Sequence, residues 1–166
     1  MEGSDVLQTL AEVAIALTGF TGIVAAFRGR TDESLSGFTL VRFRILLMAS
    51  LAVAGFALLP FFFHYIRFAP AVTWSICSAV VSIFMIAIAV HDIRAHRTYS
   101  DTMPKFDRRA GPLFALLGSA LWVAQISNVV ALHSFGPYLA APMWFLGFSA
   151  FQFCRLLLVA ETSRRQ

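Results

Sequence analysis

Charge is scarce in this chain. Of its 166 residues only 13% are charged, against 58% hydrophobic, and the mean hydropathy is +0.75. Soluble domains carry about 25% charged and roughly 45–50% apolar residues. A soluble chain of this length would leave much of its apolar surface in water, so a water-soluble domain is excluded. Length allows one small membrane domain over 1–166, with no room for a separate folded soluble module. Cysteine is nearly absent as well. Cys77 and Cys154 both lie inside apolar runs, far from metal-ligand spacing, and read as buried membrane thiols.

Catalytic patterns are missing too. There is no HExxH or paired-aspartate motif and no glycine-rich loop after a strand, and the serines stand singly, without a base and an orienter. In HDIRAH, Asp92 and His96 are four apart and share a helix face, but two candidate ligands in a loop fall short of a metal site. The expectation is a protein that is not an enzyme, with no cofactor and no metal. The leader MEGSD is acidic, so the first apolar run lacks the basic start of a cleavable signal peptide.

What the chain does have is hydrocarbon in long runs. A bilayer core of about 30 Å needs roughly 20 apolar residues at about 1.5 Å each. Five stretches meet that length, at about 6–27, 43–66, 71–93, 112–133 and 138–160. They predict an all-α integral membrane helical bundle of five transmembrane helices. The alternative keeps four spans and lays the first segment re-entrant or interfacial. An interfacial helix needs a strongly polar face, whereas here Gln8, Thr9 and Glu12 cluster near one end of an otherwise apolar run.

RGRTDESLSGFTLVRFR and HDIRAHRTYSDTMPKFDRRAG read as charged loops, HYIRFAP and HSFGPY as tight turns between helical hairpins. Of the thirteen lysines and arginines, twelve fall on the side of those two loops and the C-terminus, leaving Arg67 alone on the other. Basic residues are retained on the cytoplasmic side. The predicted topology in the cell (inner) membrane therefore has the N-terminus outside and the C-terminus cytoplasmic. The two turns echo one another: His64, Pro70 and Trp74 recur as His133, Pro137 and Trp144, as two parallel hairpin repeats would produce.

Polar residues inside spans are functional candidates, each needing a partner. They are Glu12, Gln125, Asn128, Gln152 and Arg155. At about 1.5 Å per residue, Glu12 lies about 9 Å below the outer end of its span, Asn128 roughly 8 Å, Gln125 about 12 Å and Arg155 about 24 Å. Glu12 is thus too far from Arg155 to pair with it and is expected to meet Asn128, Gln125, water or copies of itself. Arg155 is near enough to the inner surface to snorkel. With Gln152, three residues earlier on the same face, it is alternatively an anion contact.

The first span also has small residues, Ala14, Thr18, Gly22 and Ala26, every four positions, and Gly19 seven after Glu12. Such residues let membrane helices approach closely, either within the chain or between copies around a pore. A Glu12 ring over Thr18, Gly19 and Gly22 suits the second reading, because acidic rings select cations. In the third loop Arg94, Arg97, Lys105, Arg108 and Arg109, interleaved with Tyr99 and Phe106, are candidate contacts for anionic headgroups or a nucleotide-type ligand.

The run ALTGFTGIVAAFRGR resembles the first helix of small bacterial multi-pass proteins. Some of these are similar to the membrane effectors of phage-defence pairs of the Hailong type, in which a nucleotidyltransferase partner controls a channel. The likeness covers less than a fifth of the chain. It implies a homo-oligomeric channel gated by a nucleotide-derived ligand, with a soluble nucleotidyltransferase or its nucleotide product as partner. The functional expectation is therefore a homo-oligomeric ion-conducting membrane channel. Beside it stand a non-conducting subunit or scaffold that docks a soluble partner through its basic loops, and a small proton-coupled transporter with Glu12 as proton carrier.

Overall fold

The computed structural model describes residues 3–28, 37–98 and 105–163. Five helices account for nearly all of them: α1 Ser4–Arg28, α2 Gly37–Tyr65, α3 Pro70–Thr98, α4 Lys105–Ser127 and α5 Phe135–Ser163. A five-residue π-turn, Asn128–Leu132, continues α4. No strand occurs among the described residues. Four segments are long and apolar enough to cross a membrane: Ser4–Val24, Phe43–Tyr65, Pro70–Thr98 and Arg108–Leu132. The chain is a helical membrane protein. α5, 29 residues long, also has the length, but over the described residues it is not among those four.

The helices run past the apolar stretches. Residues 91–98, expected in a charged loop, form the last turns of α3, and α4 begins at Lys105 inside the same expected loop. α2 likewise starts at Gly37, ahead of the apolar run. Hydropathy marks where hydrocarbon ends, whereas helical hydrogen bonds continue into the polar layer at no cost to the backbone. Inside the membrane, hydroxyls are also satisfied locally. Thr18 Oγ1 donates to the Ala14 carbonyl at 2.8 Å, Thr21 to Leu17 at 2.7 Å, Ser82 to Ser78 at 2.8 Å and Ser119 to Ala115 at 2.8 Å.

The chain contains two compact units, Met1–Gly3 with Leu59–Ala141, and Ser4–Leu58 with Pro142–Gln166. In the first, α3 and α4 run antiparallel. An added Cβ on Gly111, near the start of α4, would lie 3.7 Å from the His96 ring at the end of α3, and Asn128 at the far end of α4 bonds Ser78 early in α3. α3 buries Thr73, Trp74, Cys77, Ser78, Val81, Ser82 and Met85, a stripe recurring every three to four residues. Trp74 packs against Phe135 and Tyr138, with ring centroids 5.3 and 5.6 Å apart.

The two hairpin turns differ. α2 ends in a Schellman motif with Arg67 in the left-handed region at φ 63°. Phe68 N–H bonds the Phe63 carbonyl at 3.2 Å, Arg67 N–H bonds the His64 carbonyl at 3.0 Å, and the Phe63 and Phe68 rings pack at 5.7 Å. In the second turn His133 itself is left-handed, at φ 48°, directly after the π-turn. The echo of His, Pro and Trp therefore does not extend to backbone conformation.

In the second unit, α1 buries Leu7, Leu10, Ala11, Ala14 and Thr21, and α2 buries Leu46, Ala49, Ser50, Val53, Ala54 and Ala57. Most of these are small, the residue types that let helix backbones approach where no hydrophobic drive separates protein from lipid. Phe56 of α2 and Phe145 of α5 meet at 6.5 Å. In each unit large apolar side chains stand exposed, as lipid-facing residues do: Leu51 in this one, and Ile83, Leu116 and Val130 in the first. Cys77 is buried, but Cys154, expected buried, is exposed on α5.

Candidate functional site

Helical geometry decides where Glu12 faces. With 3.6 residues per turn, each residue advances by about 100°. Taking Glu12 as zero, Gln8, Ala16, Gly19, Ile23 and Ala26 fall within about 40° of it, and all are exposed. Leu10, Ala14 and Thr21 fall within about 20° of the opposite direction, and all are buried. α1 therefore packs by the face opposite its carboxylate. Glu12 stands on the exposed face, where its Oε1 accepts a hydrogen bond from Gln8 Nε2 at 3.2 Å, one turn earlier.

The expected stripe of small residues divides along that line. A four-residue repeat drifts by about 40° per step, so Ala14 is buried, Thr18 half-buried, and Gly22 and Ala26 exposed. Gly19 and Gly22 face open space: a Cβ added to either would meet nothing within 4 Å. The exposed face thus combines one carboxylate, one amide and a glycine notch. Of the stripe, the buried face keeps Ala14, with Thr18 at its edge.

Asn128 and Gln125 belong to a different constellation, at the junction of α4, the π-turn and α5. His133 N–H bonds the Asn128 carbonyl at 3.0 Å, five residues back, which closes the π-turn. The Asn128 side chain then pairs with the backbone of Ser134: Oδ1 accepts from Ser134 N–H at 2.9 Å and Nδ2 donates to the Ser134 carbonyl at 3.0 Å. The second Nδ2 hydrogen goes to Ser78 Oγ at 2.7 Å. Both donors and the acceptor are engaged with Ser78 and Ser134; Asn128 was one of four alternative partners expected for Glu12.

Gln125, fully buried, donates from Nε2 to the Pro137 carbonyl, and its Oε1 is buried without a partner. Ser75 Oγ donates to the Ala71 carbonyl at 2.9 Å and lies 2.7 Å from His133 Nδ1. A hydroxyl has one hydrogen, so satisfying both contacts makes His133 Nδ1–H the donor to Ser75 Oγ. Ser75, Ser78, His133 and Ser134 were not among the expected site residues. Serines spread singly through apolar sequence carry no periodic signal, and only the antiparallel packing of α3 and α4 brings Ser78 to Asn128.

The basic candidates lie at one end of α3 and α4. Arg94, Arg97, Arg108 and Arg109 are exposed, as are Asp92 and His96. Lys105 opens α4, while Tyr99 falls outside the described residues and nothing is described of the Phe106 side chain. No group of three or more metal-binding side chains assembles among the described residues. In α5 Gln152 and Arg155 are half-buried. The Arg155 guanidinium sits 5.7 Å from the Phe151 ring centroid, one turn toward the start of the helix, so it points back along α5 rather than out past its end.

Two arrangements thus stand apart chemically. The Asn128 constellation is closed and almost fully hydrogen-bonded, which suits holding a hairpin in shape. The Glu12 face is open, holds an acid inside a membrane-spanning segment and is available to water, ions or a neighbouring helix. Compared with protein-family models, with curated proteins and with solved structures, the chain matches none of them.

Proposed function

We propose that the protein is a homo-oligomeric ion-conducting membrane channel, with five spans, the N-terminus outside and the C-terminus cytoplasmic. The observation that carries this reading is Glu12 on the exposed face of α1, in line with Gly19 and Ala26 and inside the span Ser4–Val24. A charged carboxylate turned to lipid costs about 2.5 kcal/mol or more at mid-bilayer and less nearer the surface. Copies of α1 around an axis relieve that cost by facing Glu12 to water, while Gly19 and Gly22 admit the close helix approach that an α1 ring requires. The acid then concentrates cations at one mouth of the pore.

The resemblance of the first helix extends the proposal to a phage-defence effector gated by a nucleotide-type ligand made by a soluble partner. Arg94, Arg97, Arg108 and Arg109, exposed together at one end of α3 and α4, are the groups that would meet such an anion. The same exposure supports the second reading, a scaffold docked by a soluble protein.

Planar-bilayer recordings of the reconstituted protein test the channel. Glu12→Gln preserves shape and the Gln8 contact while removing charge. The expected result is an intact oligomer with reduced cation selectivity, read as a shifted reversal potential in a salt gradient. Wild-type conductance and reversal potential in the variant would make Glu12 a structural acid, and the scaffold reading would replace the channel.

A further inference from the structure

Within the unit that holds α1, a groove of about 400 Å³ runs between α1 and α5. Val6, Leu10 and Val13 form one wall, Met143 and Leu146 the other. Asp5 and Thr9 are its polar lining residues, and the Thr9 hydroxyl is turned back onto the Asp5 carbonyl at 2.9 Å, which leaves the wall hydrocarbon. Val6, Val13 and Met143 are each about half exposed, so the groove opens at the protein surface and not into the core. That surface belongs to the membrane-spanning segment Ser4–Val24, so the groove opens toward lipid.

Its length and charge specify the occupant. From Asp5 to Val13 the helix rises about 12 Å, against roughly 15 Å for the hydrocarbon of one leaflet. Asp5 is the second residue of α1, at the end of the span where headgroups lie, and its exposed carboxylate accepts a hydrogen bond from the neighbouring Ser4 hydroxyl at 3.3 Å. A carboxylate there repels anionic headgroups and accepts charge-assisted hydrogen bonds from an ammonium. We propose that the groove is a phospholipid site: one acyl chain lies along Leu10 and Val13, and the primary ammonium of an ethanolamine headgroup sits on Asp5.

Native mass spectrometry of the full chain released from vesicles of equal phosphatidylethanolamine and phosphatidylglycerol tests this. Wild type should retain phosphatidylethanolamine preferentially. Val13→Trp fills the groove from α1 and Met143→Trp fills it from α5, both at exposed positions, and each should lose the bound lipid. Asp5→Asn should keep a lipid but lose the preference between headgroups. Equal retention of both lipids by wild type, unchanged retention in the two tryptophan variants, or an undiminished preference in Asp5→Asn would overturn the proposal. So would a photocrosslinker at residue 13 that captures a second copy of the chain in place of lipid.

Discussion

Replacing Asn128 with alanine removes three hydrogen bonds at one point: two to the Ser134 backbone and one to Ser78 Oγ. Hydrogen bonds between membrane helices are worth about 0.6 kcal/mol each on average, and about 1 kcal/mol in soluble proteins. Three of them, at a fully buried side chain, predict a loss of about 2–3 kcal/mol. Ser78→Ala removes one of the three and should cost about 0.6–1 kcal/mol. With Asn128 already gone, Ser78→Ala has nothing left to break, so the double variant should cost little more than Asn128→Ala alone. The assay is unfolding in mixed micelles with increasing dodecyl sulfate, followed by tryptophan fluorescence. Trp74, packed on Phe135 and Tyr138, reports on the same hairpin junction. A loss below about 0.5 kcal/mol for Asn128→Ala, or simple additivity with Ser78→Ala, would refute the claim that this side chain holds the turn to α3.

Arg67→Gly should stabilise the protein by up to about 1 kcal/mol in the same assay, since the Schellman position is left-handed and glycine occupies it without a Cβ penalty. Gly22→Leu should leave helix content and unfolding of the single chain unchanged, because an added Cβ meets nothing there, yet shift the detergent-solubilised protein from oligomer toward monomer by light scattering. A wild-type monomer would remove the pore. Cysteine labelling in intact cells should reach residue 3 and residue 69 from outside and residues 35, 102 and 166 only from inside; a cytoplasmic residue 3 would exclude five spans.

Membrane residence was legible in sequence because the bilayer imposes a composition and a length that no packing detail alters. The two breaks between helices were legible for a related reason, a short polar interruption of the hydrophobic run, but the second is shorter than HSFGPY suggested: α5 begins at Phe135 and includes Pro137, leaving His133 and Ser134 as the turn. Charged segments misled at the helix ends. Residues 91–98 are helical because a backbone satisfied by its own hydrogen bonds continues regardless of whether lipid or water surrounds the side chains.

Glu12 could be picked out from sequence alone as an acid within a span, but its partner could not. Depth along a helix can be counted from residue number, whereas azimuth acquires meaning only when one face is seen to be buried. Burial of Leu10, Ala14 and Thr21 is what turns Glu12, Gly19 and Ala26 outward. In the same way, depth placed Asn128 near Glu12, while tertiary packing gave its amide to Ser78 and Ser134. A side-chain amide has few hydrogen-bonding sites, and neighbours brought close by the fold occupy them first. Sequence determined that this chain lives in lipid and which polar groups must find partners there. Only the fold decided which of those groups were satisfied within the chain and which were left facing outward.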